Sequence, residues 1–164
     1  MKIAFLSDIH ANIDAFESVL RTIDNDGIDT IFIAGDLVGY YYNPDKVIDI
    51  CMSRDDIYCI RGNHDRNFLN AINDKSFMTK MIKKYGSSYR ITQEKLSDKQ
   101  ITWLASLPTK LELTMEQVTI TIAHGSINSE DEYIYPSKKS IDLLKQLSNS
   151  EYTILGHTHH PFVW

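Results

Sequence analysis

Ile3-Ala4-Phe5-Leu6-Ser7-Asp8-Ile9-His10 opens with four apolar residues and runs straight into an acid and an imidazole. A short apolar run bounded by polar residues reads as a buried strand, so Asp8 and His10 stand just beyond a strand end. Ile31-Phe32-Ile33-Ala34-Gly35-Asp36 repeats the arrangement. Between the two runs, Ala15, Phe16, Val19, Leu20 and Ile23 recur at helical spacing, and Gly27 closes the segment. Strand, helix, strand is the building unit of an α/β fold.

The pattern recurs along the chain. Gly62-Asn63-His64-Asp65 follows the apolar stretch Ile57 to Ile60, and His124-Gly125 follows Val118 to Ala123. Gly156-His157-Thr158-His159-His160 follows Tyr152 to Leu155, so all six histidines fall in these groups. In open α/β sheets the crevice beyond the strand carboxyl ends is where ligands bind. Oxygen and imidazole donors delivered there from several strands are what a two-metal hydrolytic site needs. In extended backbone Asp8 and His10, two apart, would point to the same side and share a metal. Asp36 can bridge two cations through its two oxygens. Asn63 offers a neutral oxygen, and His157 and His159 can serve one metal or two. Taken singly, each group also reads as an ordinary turn, loop or core histidine. Their joint occurrence, always after a strand, carries the reading.

The remaining chain fits one domain spanning residues 1–164. A second helix is expected after Asn43-Pro44, with Val47, Ile48 and Cys51 inward. Residues from about 66 to 108 read as mostly helical, with Ser97 and Gln100 as a capping box and Pro108 as the stop. Leu111 to Leu113 and Val118 to Ala123 form a hairpin around Glu116-Gln117. Ile141, Leu144 and Leu147 mark a late helix. The charge of −5 argues against a general nucleic-acid binder but not against phosphate substrates, since bound cations invert the local field. Cys51 and Cys59 form no CxxC pair, and Ile3 to Leu6 is too short for a signal segment or membrane span. A cytoplasmic protein with reduced thiols and no membrane partner is expected.

In order, Asp-x-His, Gly-Asp, Gly-Asn-His-Asp, a lone His after a strand and Gly-His-x-His resemble the calcineurin-like metallophosphoesterases from residue 1 to residue 164. Gly35-Asp36-Leu37-Val38-Gly39-Tyr40, and His124-Gly125-Ser126 followed by Tyr133, resemble the small bacterial and archaeal members. The resemblance implies a β-sandwich flanked by helices, α-β-β-α, shortened at its C-terminus. It implies that Asp8, His10 and His159 hold one metal, Asn63, His124 and His157 a second, and that Asp36 bridges them. His64 would contact the phosphate and protonate the leaving oxygen, with Asp65 orienting it. The implied activity is hydrolysis of phosphodiesters or phosphomonoesters by a hydroxide held between two divalent cations. Mn²⁺ is the first expectation, with Fe, Zn²⁺, Co²⁺ or Ni²⁺ as alternatives. Nucleotides and phosphoproteins both fit as substrates; nucleic acid is disfavoured. The rival reading is a non-catalytic interaction module or inactive fragment on the same fold.

Three smaller readings complete the set. Tyr40-Tyr41-Tyr42 is either an aromatic wall near the site or loop packing. Ser126 reads first as a cap on the loop after His124 and second as pocket lining, and His160 fits no ligand position. The chain stops five residues after His159, and Phe162, Val163 and Trp164 are expected to form an apolar edge that pairs with another copy.

Overall fold

The run Ile3–Leu6 forms β1 in the computed structural model, which describes residues 1–137, 139, 142 and 148–163. It pairs in parallel with β2, Thr30–Ile33, which pairs in parallel with β3, Ile57–Cys59. Alternation along β2 sends Ile31 and Ile33 to one face and Phe32 and Ala34 to the other. Both faces are covered, which is why β2 reads as a continuous apolar run.

The first face packs under helices. α1, Ile13–Asn25, buries Ile13, Phe16, Leu20 and Ile23, and α2, Pro44–Ser53, buries Val47, Ile48 and Cys51. Ala15 and Val19, expected on the inner side of α1, lie outside its narrower buried stripe and are exposed. Pro44 starts α2 as expected, but the Asn43 side chain makes no capping bond there. The expected helical stretch resolves into α3, Asn63–Ala71, α4, Lys75–Tyr85, α5, Ser88–Lys95, and α6, Asp98–Ser106. Asp74 and Ser97 accept backbone N–H bonds at the starts of α4 and α6, and Ser97 with Gln100 forms the expected capping box. Phe68, Tyr89, Leu104 and half-buried Trp103 join this core.

The second face meets another sheet. β4, Lys110–Met115, and β5, Val118–Ala123, are the antiparallel hairpin, and β6, Tyr152–Leu155, pairs in parallel with β5. Leu111, Leu113, Ile120, Ile122 and Ile154 close on Phe32, Ala34 and Ile60. The ends of β1, β2 and β3 and those of β5 and β6 thus meet at one rim of a two-sheet sandwich. The late helix expected over Ile141, Leu144 and Leu147 lies outside the described residues, as does Trp164. Phe162 is half-buried and Val163 fully exposed, and neither is in a strand, so among the described residues they build no sheet edge. No described helix is long and apolar enough to cross a membrane.

The hairpin turn Glu116-Gln117 has φ of 48° and 72°, a left-handed pair that favours Asn-Gly. Replacing both with Asn-Gly should stabilise the protein by about 1 kcal/mol, since each non-glycine residue there is strained by that order. A thermal melt or urea titration reads it; an unchanged midpoint would count against this turn.

Candidate metal centre

Apart from Asn63, which opens α3, the candidate ligands stand on loops, and backbone bonds brace these loops to one another. The amides of Asp8, His10 and Ala11 donate to the carbonyls of Gly35, Asp36 and Leu37 at 3.0, 2.9 and 2.8 Å. The Gly156 amide donates to the His124 carbonyl at 2.8 Å, tying β6 to β5. Glycine is required where these loops touch: a Cβ on Gly62 would sit 2.3 Å from the Asp36 amide nitrogen, and one on Gly35 2.7 Å from Gly62 Cα.

Asp8, His10, Asp36, His157 and His159 all have left-handed backbone, with φ from 50° to 67°. Such strain in non-glycine residues concentrates at functional sites. It also corrects the extended-strand account of Asp8 and His10. They converge because the chain turns left-handed after β1, not because alternate residues of a strand share a face.

The side chains gather into two adjoining groups. Asp8, His10 and His159 form one and Asp36, His124 and His157 the other, with one donor atom of each residue within 4.8 Å of the others in its group. His157 and His159 therefore part to different groups. Asn63 joins the second, its Oδ1 2.9 Å from His124 Nε2. Each carboxylate gives one oxygen to the backbone and turns the other inward. Asp36 Oδ1 accepts from the His64 amide at 2.7 Å, while Oδ2 lies 3.2 Å from His124 Nε2 and 3.8 Å from His10 Nε2. A single oxygen, rather than two, thus faces both groups. Asp8 Oδ2 accepts from the His157 amide at 3.0 Å, while Oδ1 lies 3.1 Å from His159 Nε2.

The imidazoles are oriented in the same way. His10 Nδ1 donates to the Val38 carbonyl at 3.0 Å and His124 Nδ1 to the Ala34 carbonyl at 2.8 Å. His157 is hydrogen-bonded to the Asp131 backbone. Each ring therefore presents Nε2, as backbone-anchored metal ligands do. Asp8 Oδ1 and His157 Nε2 are buried without a hydrogen-bond partner. Buried polar atoms left unpaired are costly, and a cation supplies what both lack. Burial pulls His10 and His157 below the usual imidazole range. Burial also opposes the charged form of His124, but its bond to the Asp36 carboxylate outweighs this and holds it up at about 9.

His64 belongs to neither group. Its Nδ1 lies 3.1 Å from the hydroxyl of Tyr89, which is 1% exposed, and burial pulls the ring down to about 4. Asp65 pairs with backbone amides rather than with the His64 ring. Asp65 is fully buried, its Oδ1 accepts from the Val38 amide and its Oδ2 from the Gly62 amide, and it closes the start of α3. Burial, with the Asp36 charge added, pushes Asp65 up to about 7. Tyr89 was hidden in the sequence because a tyrosine in a helical stretch reads as core. Tyr89→Phe should cut turnover up to about tenfold, the worth of one hydrogen bond, without loss of metal. Unchanged kinetics would remove Tyr89 from the site.

Tyr40 packs edge-on to His10 at 4.6 Å and lies 4.8 Å from His64, so of the three tyrosines it forms the wall. Tyr41 and Tyr42 are exposed. Ser126 caps its loop, accepting from the amides of Asn128 and Ser129 at 3.3 and 3.1 Å. His160 is exposed and absent from both groups.

The calcineurin-like phosphoesterase superfamily domain matches residues 1–164. The chain belongs to that superfamily. The uncharacterized protein MJ0912 of Methanocaldococcus jannaschii is 31% identical over 167 residues, an alignment that takes in 98% of this chain and 63% of that protein. A metallophosphoesterase from Sphaerobacter thermophilus superimposes with a TM-score of 0.78 at 27% identity, covering 98% of this chain and 62% of that one. The hypothetical protein PH1004 from Pyrococcus horikoshii shares the fold, with a TM-score of 0.78 at 21% identity over 98% of this chain and 70% of its own. The chain thus spans less than two thirds of MJ0912 and of the Sphaerobacter protein. The superfamily implies divalent metals, and the two donor groups are where this chain can hold them.

Proposed function

We propose that the chain hydrolyses phosphate esters, mono- or di-, with two divalent cations. The carrying observation is the pair of donor groups that meet at Asp36 Oδ2. Asp8, His10 and His159 would hold one cation, Asn63, His124 and His157 the other, and Asp36 would contact both. When bound, such a pair polarises phosphoryl oxygens and lowers the pKa of a shared water.

The protein's own residues do the rest. His10, His124 and His157 are fixed by backbone carbonyls, so the donor set is arranged before substrate arrives. Protonated His64 donates from Nδ1 to the Tyr89 hydroxyl oxygen and carries its other proton on Nε2. From there that proton can be passed to the leaving oxygen, which returns the ring to neutral imidazole. Asp65 holds the Gly62 and Val38 amides, fixing the start of α3 from which His64 projects. Mn²⁺ is the first candidate, and the mixed imidazole, carboxylate and amide set also accepts Fe, Zn²⁺, Co²⁺ or Ni²⁺.

Chelation followed by add-back tests the reading. Chelator should abolish hydrolysis of an aryl phosphomonoester and an aryl phosphodiester, and Mn²⁺ should restore it. Mn²⁺ at about a hundred times its dissociation constant should stabilise the fold by roughly 2.7 kcal/mol, seen as a raised melting temperature. Bound metal without turnover on either ester would favour a binding module on the same fold. Turnover indifferent to chelator would sink the metal-dependent account.

A further inference from the structure

The rim of the site carries aromatic and basic groups that ligation and proton transfer leave unused. Tyr85 lies 4.6 Å from His64 and 5.7 Å from Tyr40, which is 44% exposed. Tyr133 stacks on His157 at 3.9 Å, and Tyr135 continues the stack at 5.9 Å with its ring 6° from parallel. Tyr133 and Tyr135 are 54% and 49% exposed, so apolar ring area stands in water beside the donor groups. Packing around His157 accounts for Tyr133 but not for Tyr135.

The charge at this rim runs against that of the chain. Lys84 sits 4.7 Å from the centre of the Tyr85 ring, and its charge reaches the hydroxyls of both Tyr40 and Tyr133. Lys80 is four residues earlier on α4 and shares its helix face. α4 contains four lysines and no acid, in a chain of net charge −5. A basic stripe thus leads away from the donor groups, next to stacked rings.

We propose that this rim recognises a nucleotide, its base on the Tyr133–Tyr135 platform and a phosphate beyond the cleaved one against Lys84 and Lys80. The proposal rests on the phosphoesterase reading of the site. Flat rings stack bases of any sequence, and lysines attract phosphate as point charges. A sugar phosphate would leave the rings wet, and a simple aryl phosphate would leave the lysines without a partner. In the reaction, water oxygen bonds to phosphorus, the bond from phosphorus to the leaving oxygen breaks, and that oxygen takes the proton. The base and outer phosphate are held unchanged.

The test uses the Mn²⁺-loaded chain and three probes: the α,β-methylene analogue of ADP, methylenediphosphonate and adenosine. Binding is read by calorimetry, and hydrolysis of an aryl phosphodiester is followed separately. The analogue should bind at least about tenfold more tightly than either fragment. Tyr135→Ala should weaken the analogue about tenfold and leave methylenediphosphonate unaffected, with Tyr135→Phe restoring it. Lys84→Ala should weaken the analogue and methylenediphosphonate but not adenosine, and exposed Lys99→Ala should change nothing. An analogue that binds no better than methylenediphosphonate, or is insensitive to Tyr135→Ala, overturns the proposal. Aryl ester turnover with that result leaves the phosphoesterase reading standing. Tight, Tyr135-dependent binding without turnover supports the rim and overturns hydrolysis.

Discussion

Asp36→Asn should reduce turnover by more than about a hundredfold and lower the metal content of the purified protein. Losing a residue that only orients a ligand costs roughly 10- to 100-fold in metal affinity or activity, and Asp36 faces both donor groups directly. The substitution is discriminating because it spares the fold. An asparagine oxygen can still accept the His64 amide bond that Asp36 Oδ1 accepts now. What changes is the inward atom, where an NH₂ group would replace the oxygen facing His10 and His124. His124, held up at about 9 by the carboxylate, should then titrate lower. Elemental analysis and steady-state kinetics on the same preparation read both effects. Full metal and full rate would remove Asp36 from the shared position.

His64→Ala should lower turnover by roughly 10²–10⁴-fold while both cations stay bound. Its ring is in neither donor group; it packs among Tyr40, Tyr85 and Tyr89. The loss should depend on the leaving group. A nitrophenolate departs without much help, so its ester should suffer less than an alkyl ester, whose oxygen needs a proton. Equal losses on both esters would mean that His64 binds phosphate without protonating anything. Loss of metal would mean that it supports the ligands.

Much of this site was legible before any coordinates. Ile31 to Ala34 are buried on both faces and Ile3, Ala4 and Leu6 are half-buried beside them, with Phe5 exposed, so the unbroken apolar runs mark strands. Glycines beside Asp36 and Asn63 mark places where backbone crosses backbone, the glycine beside His157 lies against the Ser7 and Asp8 side chains, and at Gly62 and Gly156 no side chain would fit. Less visible was how the ligands are aimed. Left-handed backbone at Asp8, His10 and His157 is held by bonds between distant loops, and the tolerance of Asp and His for it does not by itself announce it. Tyr85 and Tyr89 reach His64 because α4 and α5 fold back over it, a tertiary fact that helical periodicity does not encode. Asp65 misled for a related reason. Its place after His64 suggests a partner, yet a carboxylate in the first turn of a helix is drawn to free amides.

The proposed function requires two divalent cations side by side at Asp36. Electron paramagnetic resonance of the chain titrated with Mn²⁺ tests it without reliance on turnover. Ions about 3.5–4 Å apart couple magnetically. The expected result is two Mn²⁺ per chain with a spin-coupled spectrum that Asp36→Asn removes. A single ion, or two that stay magnetically isolated, would contradict the account.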